Sequence, residues 1–317
     1  MPHLIGEVTG TLDDRAHFKF FNTFVNFATA NGWTALMHNN TTAPYYVLLH
    51  GDGITGEEDI YIGLKTYGTN HIAVCATTGY TPSQEFDLQP NMYKVGIPLY
   101  YDRIRYWITL NAQRIAFCCQ VGTAHYESGY IGKFIPYCSP AQYPYPVVCA
   151  GMFGYYDASY LLSTNPYTYV YASDPDRYYR LPYKGPGSIE YNYLSVSNPA
   201  YNMAVYSNFT GKWFYPAIHP FNYLGTRMNT STVNNKYPLY ELEICNPNMN
   251  NSGETDTITQ RSPGGIYGKL DGIYYVSGSY MYPEDTFAIG GNTYIVFRDR
   301  NLDAAGNHYA MRLDPNP

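Results

Sequence analysis

The chain has 317 residues, among them 38 tyrosines, 14 phenylalanines and only 19 lysines and arginines, and its formal net charge is −6 at pH 7. This balance excludes the basic track that sequence-independent binding to DNA or RNA requires, and no run approaches the ~18 uninterrupted apolar residues of a transmembrane helix, so neither a nucleic-acid partner nor membrane insertion is expected. Charged residues make up 14% of the chain, which leaves a weakly charged, association-prone surface whose polarity comes from Tyr, Asn, Thr, Ser and Gly.

The start, Met1-Pro2-His3-Leu4, lacks the basic and apolar regions of a signal peptide, so a soluble protein made in the cytoplasm is expected. One helix is expected near it. Phe18, Phe21, Phe24, Val25 and Ala28 recur at helical spacing, Thr11-Leu12-Asp13-Asp14 resembles a capping box, and Asn31-Gly32 supplies a stop. The phenylalanine stripe is a face for docking on a sheet. Short strands follow over 33–38, 45–50, 59–67, 72–77, 105–110 and 115–121, the last two flanking a hairpin turn at Asn111-Ala112-Gln113-Arg114.

From Phe134, Pro136, Pro140, Pro144, Pro146 and further prolines punctuate a tyrosine-rich stretch. Proline lacks the donor that a central strand needs, which predicts an irregular, loop-rich region over 134–200. The Asn/Ser/Thr/Gly-rich segment 246–262 is the expected linker. Strands return over 266–270, 273–277, 286–289, 292–298 and 309–313, with Asp271-Gly272 and Gly290-Gly291 as hairpin turns. The expected fold is mainly β (α+β), with antiparallel, sandwich-like sheets, one N-terminal helix and long Tyr/Pro-rich loops. Three regions are expected: a helix-plus-β domain (1–133), a Tyr/Pro-rich loop and interface region (134–245) and a C-terminal antiparallel β region (246–317). No fixed-period repeat points to a solenoid or propeller.

The motifs give little to catalysis. Cysteines at 75, 118, 119, 138, 149 and 245 form no C-x-x-C pair, and Cys118-Cys119 on a strand would face opposite ways, so buried free thiols are expected rather than zinc or disulfides. Asp299-x-Asn301-x-Asp303 matches the start of a calcium loop, but Ala304 and Ala310 stand where Gly and Glu are needed, and a polar hairpin is the expected role. Glycoside hydrolysis needs a facing carboxylate pair; the candidates are Asp52, Glu57, Glu58, Asp59, Glu190, Glu241, Glu243, Glu284 and Asp285. Of these, Glu57-Glu58-Asp59 reads as a solvated loop and Glu284-Asp285 as a turn before a strand. No G-x-S-x-G elbow occurs, and Gly264-Gly265-Ile266-Tyr267-Gly268 is neither a phosphate loop nor a dinucleotide fingerprint. No catalytic residue, cofactor or metal is expected.

The tyrosines carry the functional expectation. A ring with a large apolar face and a hydrogen-bonding tip suits protein contacts, and pairs such as Tyr155-Tyr156, Tyr178-Tyr179 and Tyr274-Tyr275 place neighbouring rings on opposite faces of an extended chain. The rings also suit the core of a β protein, but one core hardly needs so many. The contact surface is therefore assigned to 134–200, with Tyr143, Tyr145, Tyr155, Tyr156, Tyr178 and Tyr179 as anchors. Tyr106, Trp107, Trp213 and Tyr215 are the rings suspected of stacking on a host surface carbohydrate, with core or interface packing as their alternative role.

Two stretches, YESGYIGKFIPYCSPAQYPYPVVCAG at 126–151 and GIYGKLDGIYYVSGSYMYPEDTFAIGGNTYIVFRDRNLDAAGNHYAMRLD at 265–314, resemble a family of tailed-bacteriophage virion structural proteins. The N-terminal helix with its Trp-containing strand and the segment DIYIGLKTY at 59–67 fit the same pattern. The resemblance covers about half the chain. It implies a non-enzymatic component of the mature particle, in the tail or baseplate, present in several copies that contact one another and other virion proteins. Receptor binding and a capsid or head–tail position are the alternatives it leaves.

Overall fold

The computed structural model describes residues 2–67, 71–99, 102–121, 125–137, 147–151, 203–207, 212–214, 217–219, 239–245, 266–276, 281–298 and 308–313. They form three antiparallel sheets and one long helix, a mainly β fold as expected. The central sheet runs β1 (His3–Thr9), β7 (Arg103–Leu110), β8 (Arg114–Val121), β9 (His125–Lys133), β11 (Val147–Gly151), β12 (Met203–Ser207), β13 (Lys212–Phe214). The second runs β2 (Thr34–Asn39), β3 (Tyr46–Gly51), β4 (Ile60–Tyr67), β5 (His71–Thr77), β6 (Tyr93–Pro98). The third runs β14 (Ala217–His219), β15 (Tyr240–Cys245), β16 (Ile266–Val276), β19 (His308–Arg312), β18 (Asn292–Arg298), β17 (Thr286–Ile289), and β10 (Ile135–Pro136) pairs with β16.

Strand alternation divides the central sheet between two cores. Ile104, Tyr106, Ile108, Phe117 and Cys119 join a core shared with Val47, Ile62, Val74 and Ile97 of the second sheet and with helix α1 (Ala16–Ala30), which contributes Phe20, Phe21, Phe24, Val25 and Ala28. Trp107, Ala116, Cys118 and Tyr130 belong instead to a core with Ile244, Ile273, Tyr275, Phe297 and Tyr309 of the third sheet. Strands buried on both faces read as near-continuous apolar runs, which explains RIAFCCQV in β8.

Smaller clusters lie on the outer faces. Leu48, Ala73, Cys75 and Phe86 form one on the second sheet, and Val276, Tyr294, Val296 and Ala310 form one on the third. Several cores, not one, therefore absorb the aromatic residues, and Tyr93, Tyr106, Tyr130, Tyr206, Tyr275, Tyr294 and Tyr309 are all buried. Tyr275 faces the central sheet while its neighbour Tyr274 packs on the outer cluster, as their alternation requires.

Three local expectations need correction. Thr11 does not cap the helix: its Oγ1 accepts from the Asp14 N–H at 3.1 Å in a preceding turn, and α1 starts after Arg15, whose side chain makes no cap. Asp271-Gly272 is not a hairpin turn, because β16 runs through it unbroken. Gly272 takes φ +73° and residues 270–273 bulge opposite Leu242, where the register jumps from Glu241↔Tyr274 to Glu243↔Lys269. A dipeptide that accepts positive φ serves a bulge as readily as a turn. Gly290-Gly291, with φ +60° and +82°, does close β17 onto β18. Third, β1, β6, β9 and β10–β15 are not among the expected strands, and β10 and β11 lie within the stretch expected to be irregular.

The sheets also cross the expected region boundaries. The chain leaves the central sheet at Lys133 and enters the third at Ile135, with Phe134 buried between them, and β11–β13 return to the central sheet. The expected linker 246–262 and most of 134–200 lie outside the described residues.

Candidate functional site

Two clusters of charged and hydrogen-bonding side chains lie where the sheets meet. The β7–β8 turn is the centre of one cluster. Asn111 Oδ1 accepts from the N–H of Gln113 (3.0 Å) and Arg114 (3.1 Å), folding the turn on itself. That geometry aims the Asn111 carbonyl at Trp33 Nε1 (2.9 Å) and the Ala112 carbonyl at the Gly53 N–H (3.1 Å), both toward the second sheet. Toward the third sheet, Asn111 Nδ2 and Gln113 Nε2 donate to Asp271 Oδ2, with Arg114 Nε 3.5 Å from the same oxygen. Arg114 is fully buried and donates from one terminal nitrogen to Thr109 O and Oγ1. The Asp271 N–H donates to the Tyr130 hydroxyl, which itself donates to Lys133 O. Burial, with the Asp271 charge beside it, pushes that hydroxyl far up, so it stays a donor. One turn thus ties all three sheets.

A second cluster joins the central and third sheets. Arg105 donates to both Glu284 oxygens (3.0 and 2.8 Å), lies 5.0 Å from the Trp107 ring centre, and also donates to Gln120 Oε1. Tyr126 donates to Glu284 Oε1 at 2.9 Å, and its pKa is pushed up by burial first and the Glu284 charge second. Glu284 holds φ +75°, a conformation most L residues avoid.

Of the other hydrolase candidates among the described residues, all but the exposed Glu57 are similarly engaged. Glu58 pairs with Lys133, Asp59 and Asp52 with His50, and Asp285 accepts from the Tyr282 N–H. Glu241 and Glu243 both accept from Tyr137 Oη (3.3 and 3.4 Å), and Lys269 pairs with Glu241. These two carboxylates stand two residues apart on one strand, side by side rather than across a cleft. Burial first, then the two carboxylates, push the Tyr137 hydroxyl up to about 12. On the second sheet, Phe86 covers Gly63, and Asp87 binds Lys65 and Lys94. Burial opposes ionisation of Asp87, but the two lysines hold its carboxyl below the ordinary range.

Two of the four suspected sugar-stacking rings are core residues. Tyr106 is 7% exposed and Trp107 2%, and they fill the two cores on opposite faces of β7. Neither offers a face to a sugar, because each side of the central sheet is covered by another sheet. Trp213 lies on β13 opposite Tyr206, with its side chain outside the described residues, as is Tyr215. The expected anchors Tyr143, Tyr145, Tyr155, Tyr156, Tyr178 and Tyr179, the Asp299–Asp303 motif and Glu190 also lie outside them.

Cys75, Cys118 and Cys119 are free and buried, as expected, and burial pushes the first two thiols up to about 12. Among the described residues no group of three metal-ligating side chains occurs, and no helix is long and apolar enough to cross a membrane. Among the described residues, the rings that stand in solvent are Tyr137 and Tyr282, the latter 71% exposed. Sequence reasoning named neither. No protein-family model matches the chain, and no curated protein is significantly similar to it.

Proposed function

We propose that the chain is a non-enzymatic structural subunit of a tailed-bacteriophage particle, in its tail or baseplate, acting by contact with further copies and with neighbouring virion proteins. The observation that carries the non-enzymatic part is the use of its carboxylates. Glu58, Asp271 and Glu284 are each tied to a cation on another strand or sheet, which suits a rigid building block more than a reaction centre. A general acid or base needs a group free to exchange a proton with substrate. The particle itself is supported by the motifs at 126–151 and 265–314, which build the middle of the central sheet and most of the third.

The test is mass spectrometry of purified mature particles, with localisation of the chain in a particle reconstruction. Stoichiometric presence in the tail or baseplate is expected. Abundance in infected cells together with absence from particles overturns the reading.

A receptor-binding role is the second reading, favoured by Tyr137. Its exposed ring stands beside two acceptor carboxylates, a combination that meets both the face and the hydroxyls of a sugar. Saturable binding of host envelope polysaccharide by the isolated protein, lost in Tyr137→Ala, supports it; absence of binding leaves the scaffold role.

A further inference from the structure

Among the described residues seven strands stand at sheet edges, and six are blunted, β10 by having only two residues. β13 and β14 have three residues each, β17 has four, β2 carries a register break between Ala35 and Met37, and β6 ends in Pro98. Short strands, bulges and prolines are the devices by which proteins keep open edges from pairing. β1 has none of them. It runs seven residues in unbroken register with β7, from His3↔Thr109 to Thr9↔Arg103.

The direction of its backbone groups follows from the flanking bonds. The Leu110 N–H donates to Pro2 O and the Gly10 N–H to Asp102 O. Residues 2 and 10 therefore bond inward, and antiparallel alternation turns the N–H and C=O of His3, Ile5, Glu7 and Thr9 away from β7. Lys19 Nζ occupies the Thr9 carbonyl at 2.8 Å. Among the described residues, His3, Ile5 and Glu7 remain as a row of outward donors and acceptors, with Ile5 49% exposed between two polar side chains.

We propose that this edge pairs with β1 of a second copy of the chain, antiparallel, about a two-fold axis through Ile5, making the central sheets of two copies continuous. The row is self-complementary in that register alone. Ile5 meets Ile5 of the other copy, and His3 stands directly opposite Glu7, a cation-capable ring against a carboxylate. Arg103 holds Glu7 through Oε2 only, so binding of the other oxygen does not require that pair to break. About six backbone hydrogen bonds form, each matched pair exchanging two. A shift by two residues toward Thr9 sets Ile5 against Glu7 and competes with Lys19 for the Thr9 carbonyl. This is strand addition with a copy of the same chain as the added strand. It rests on the reading of the protein as a multi-copy subunit and assigns that subunit one self-contact.

The experiment uses the full chain. Sedimentation of the wild type should show self-association, and Ile5→Pro should weaken it about tenfold or more through loss of two intermolecular bonds. Proline there removes only an outward N–H, so the fold should persist. Ile5→Cys should form a disulfide-linked dimer on mild oxidation, because residues paired across the axis sit about 5.5 Å apart at Cα. Thr9→Cys should not exceed the wild-type background. A monomeric wild type, an Ile5→Cys chain that crosslinks no more than wild type, or equal crosslinking at Thr9 overturns the pairing. If Ile5→Pro fails to fold, the two cysteine variants decide. Incorporation into particles is measured separately. Loss of pairing with particles still containing the chain sinks only this inference, whereas pairing without incorporation sinks the virion reading.

Discussion

The two faces of the central sheet are held by different chemistry. Against helix α1 and the second sheet the core is apolar, with the Lys133–Glu58 pair and the β7–β8 turn at its margin: Phe20 of α1 lies 5.7 Å between ring centres from both Tyr106 and Phe117, and Phe24 lies 5.9 Å from Phe117. Against the third sheet, Trp107 and Tyr130 share the seam with Arg105–Glu284 and Arg114–Asp271. Apolar burial stabilises without direction, and a strand sliding by two residues keeps the same side chains facing the same way. Buried charges contribute little net stability but fix one arrangement where a hydrocarbon seam tolerates several. The apolar face is therefore expected to be the main source of stability, and the polar face to fix how the third sheet sits on the central one.

Breaking the apolar face should have the largest effect. Phe24→Ala should lower the unfolding free energy by about 4 kcal/mol, read from urea denaturation, because the ring is fully enclosed. Asp271→Ala should cost about 3 kcal/mol by removing the carboxylate beside the buried Arg114 guanidinium. The comparison sharpens in the double variant Arg114→Met with Asp271→Leu. If the pair specifies more than it stabilises, the double variant should regain most of the loss. A double variant as unstable as Asp271→Ala would make the charges themselves a source of stability.

The elements that could be read in advance were those whose partners do not matter. The spacing of Phe21, Phe24, Val25 and Ala28 marks a helix whatever covers it, and Cys118-Cys119 face opposite ways on any strand. β1 escaped notice because HLIGEVT places a glycine at its centre and only Leu4 and Val8 on its inner face. The roles of Tyr106 and Trp107 depended on both faces of β7 being covered, which no local pattern reports. The seam clusters were further out of reach, since Asn111 meets Asp271 across 160 positions of sequence. Asp271-Gly272 was legible as a site of positive φ but not as a bulge, since both uses need the same residues.

His17, buried on the helix that packs on the apolar face, makes that face sensitive to pH. It is fully buried, and neither ring nitrogen has a hydrogen-bond partner. Burial first, with the nearby charges of Arg15 and His71, lowers its pKa to about 4. The unfolded chain then binds a proton at higher pH than the folded one, so stability is fully present above about pH 6.5 and falls as pH drops toward 4. Between pH 7 and pH 5 the loss should be about 2 kcal/mol. The variant His17→Leu, followed by urea denaturation at both values, should lose correspondingly less. An unchanged slope would mean that the acid sensitivity comes from other groups.

The smallest effect tests whether the polar face also stores strain. Glu284 keeps φ +75° while its carboxylate holds Arg105 and Tyr126. Glu284→Ala removes the clamp but retains the unfavourable backbone, whereas Glu284→Gly removes the clamp and relieves the backbone. The left-handed conformation costs a non-glycine residue ~1–2 kcal/mol, and a partly exposed ion pair contributes ~1 kcal/mol or less. The glycine variant should therefore unfold close to the wild type, and the alanine variant about 1 kcal/mol below it. Equal stability of the two would show that this backbone carries no strain. A glycine variant as unstable as Asp271→Ala would show that the Arg105 clamp stabilises the seam as strongly as the buried cluster around Arg114.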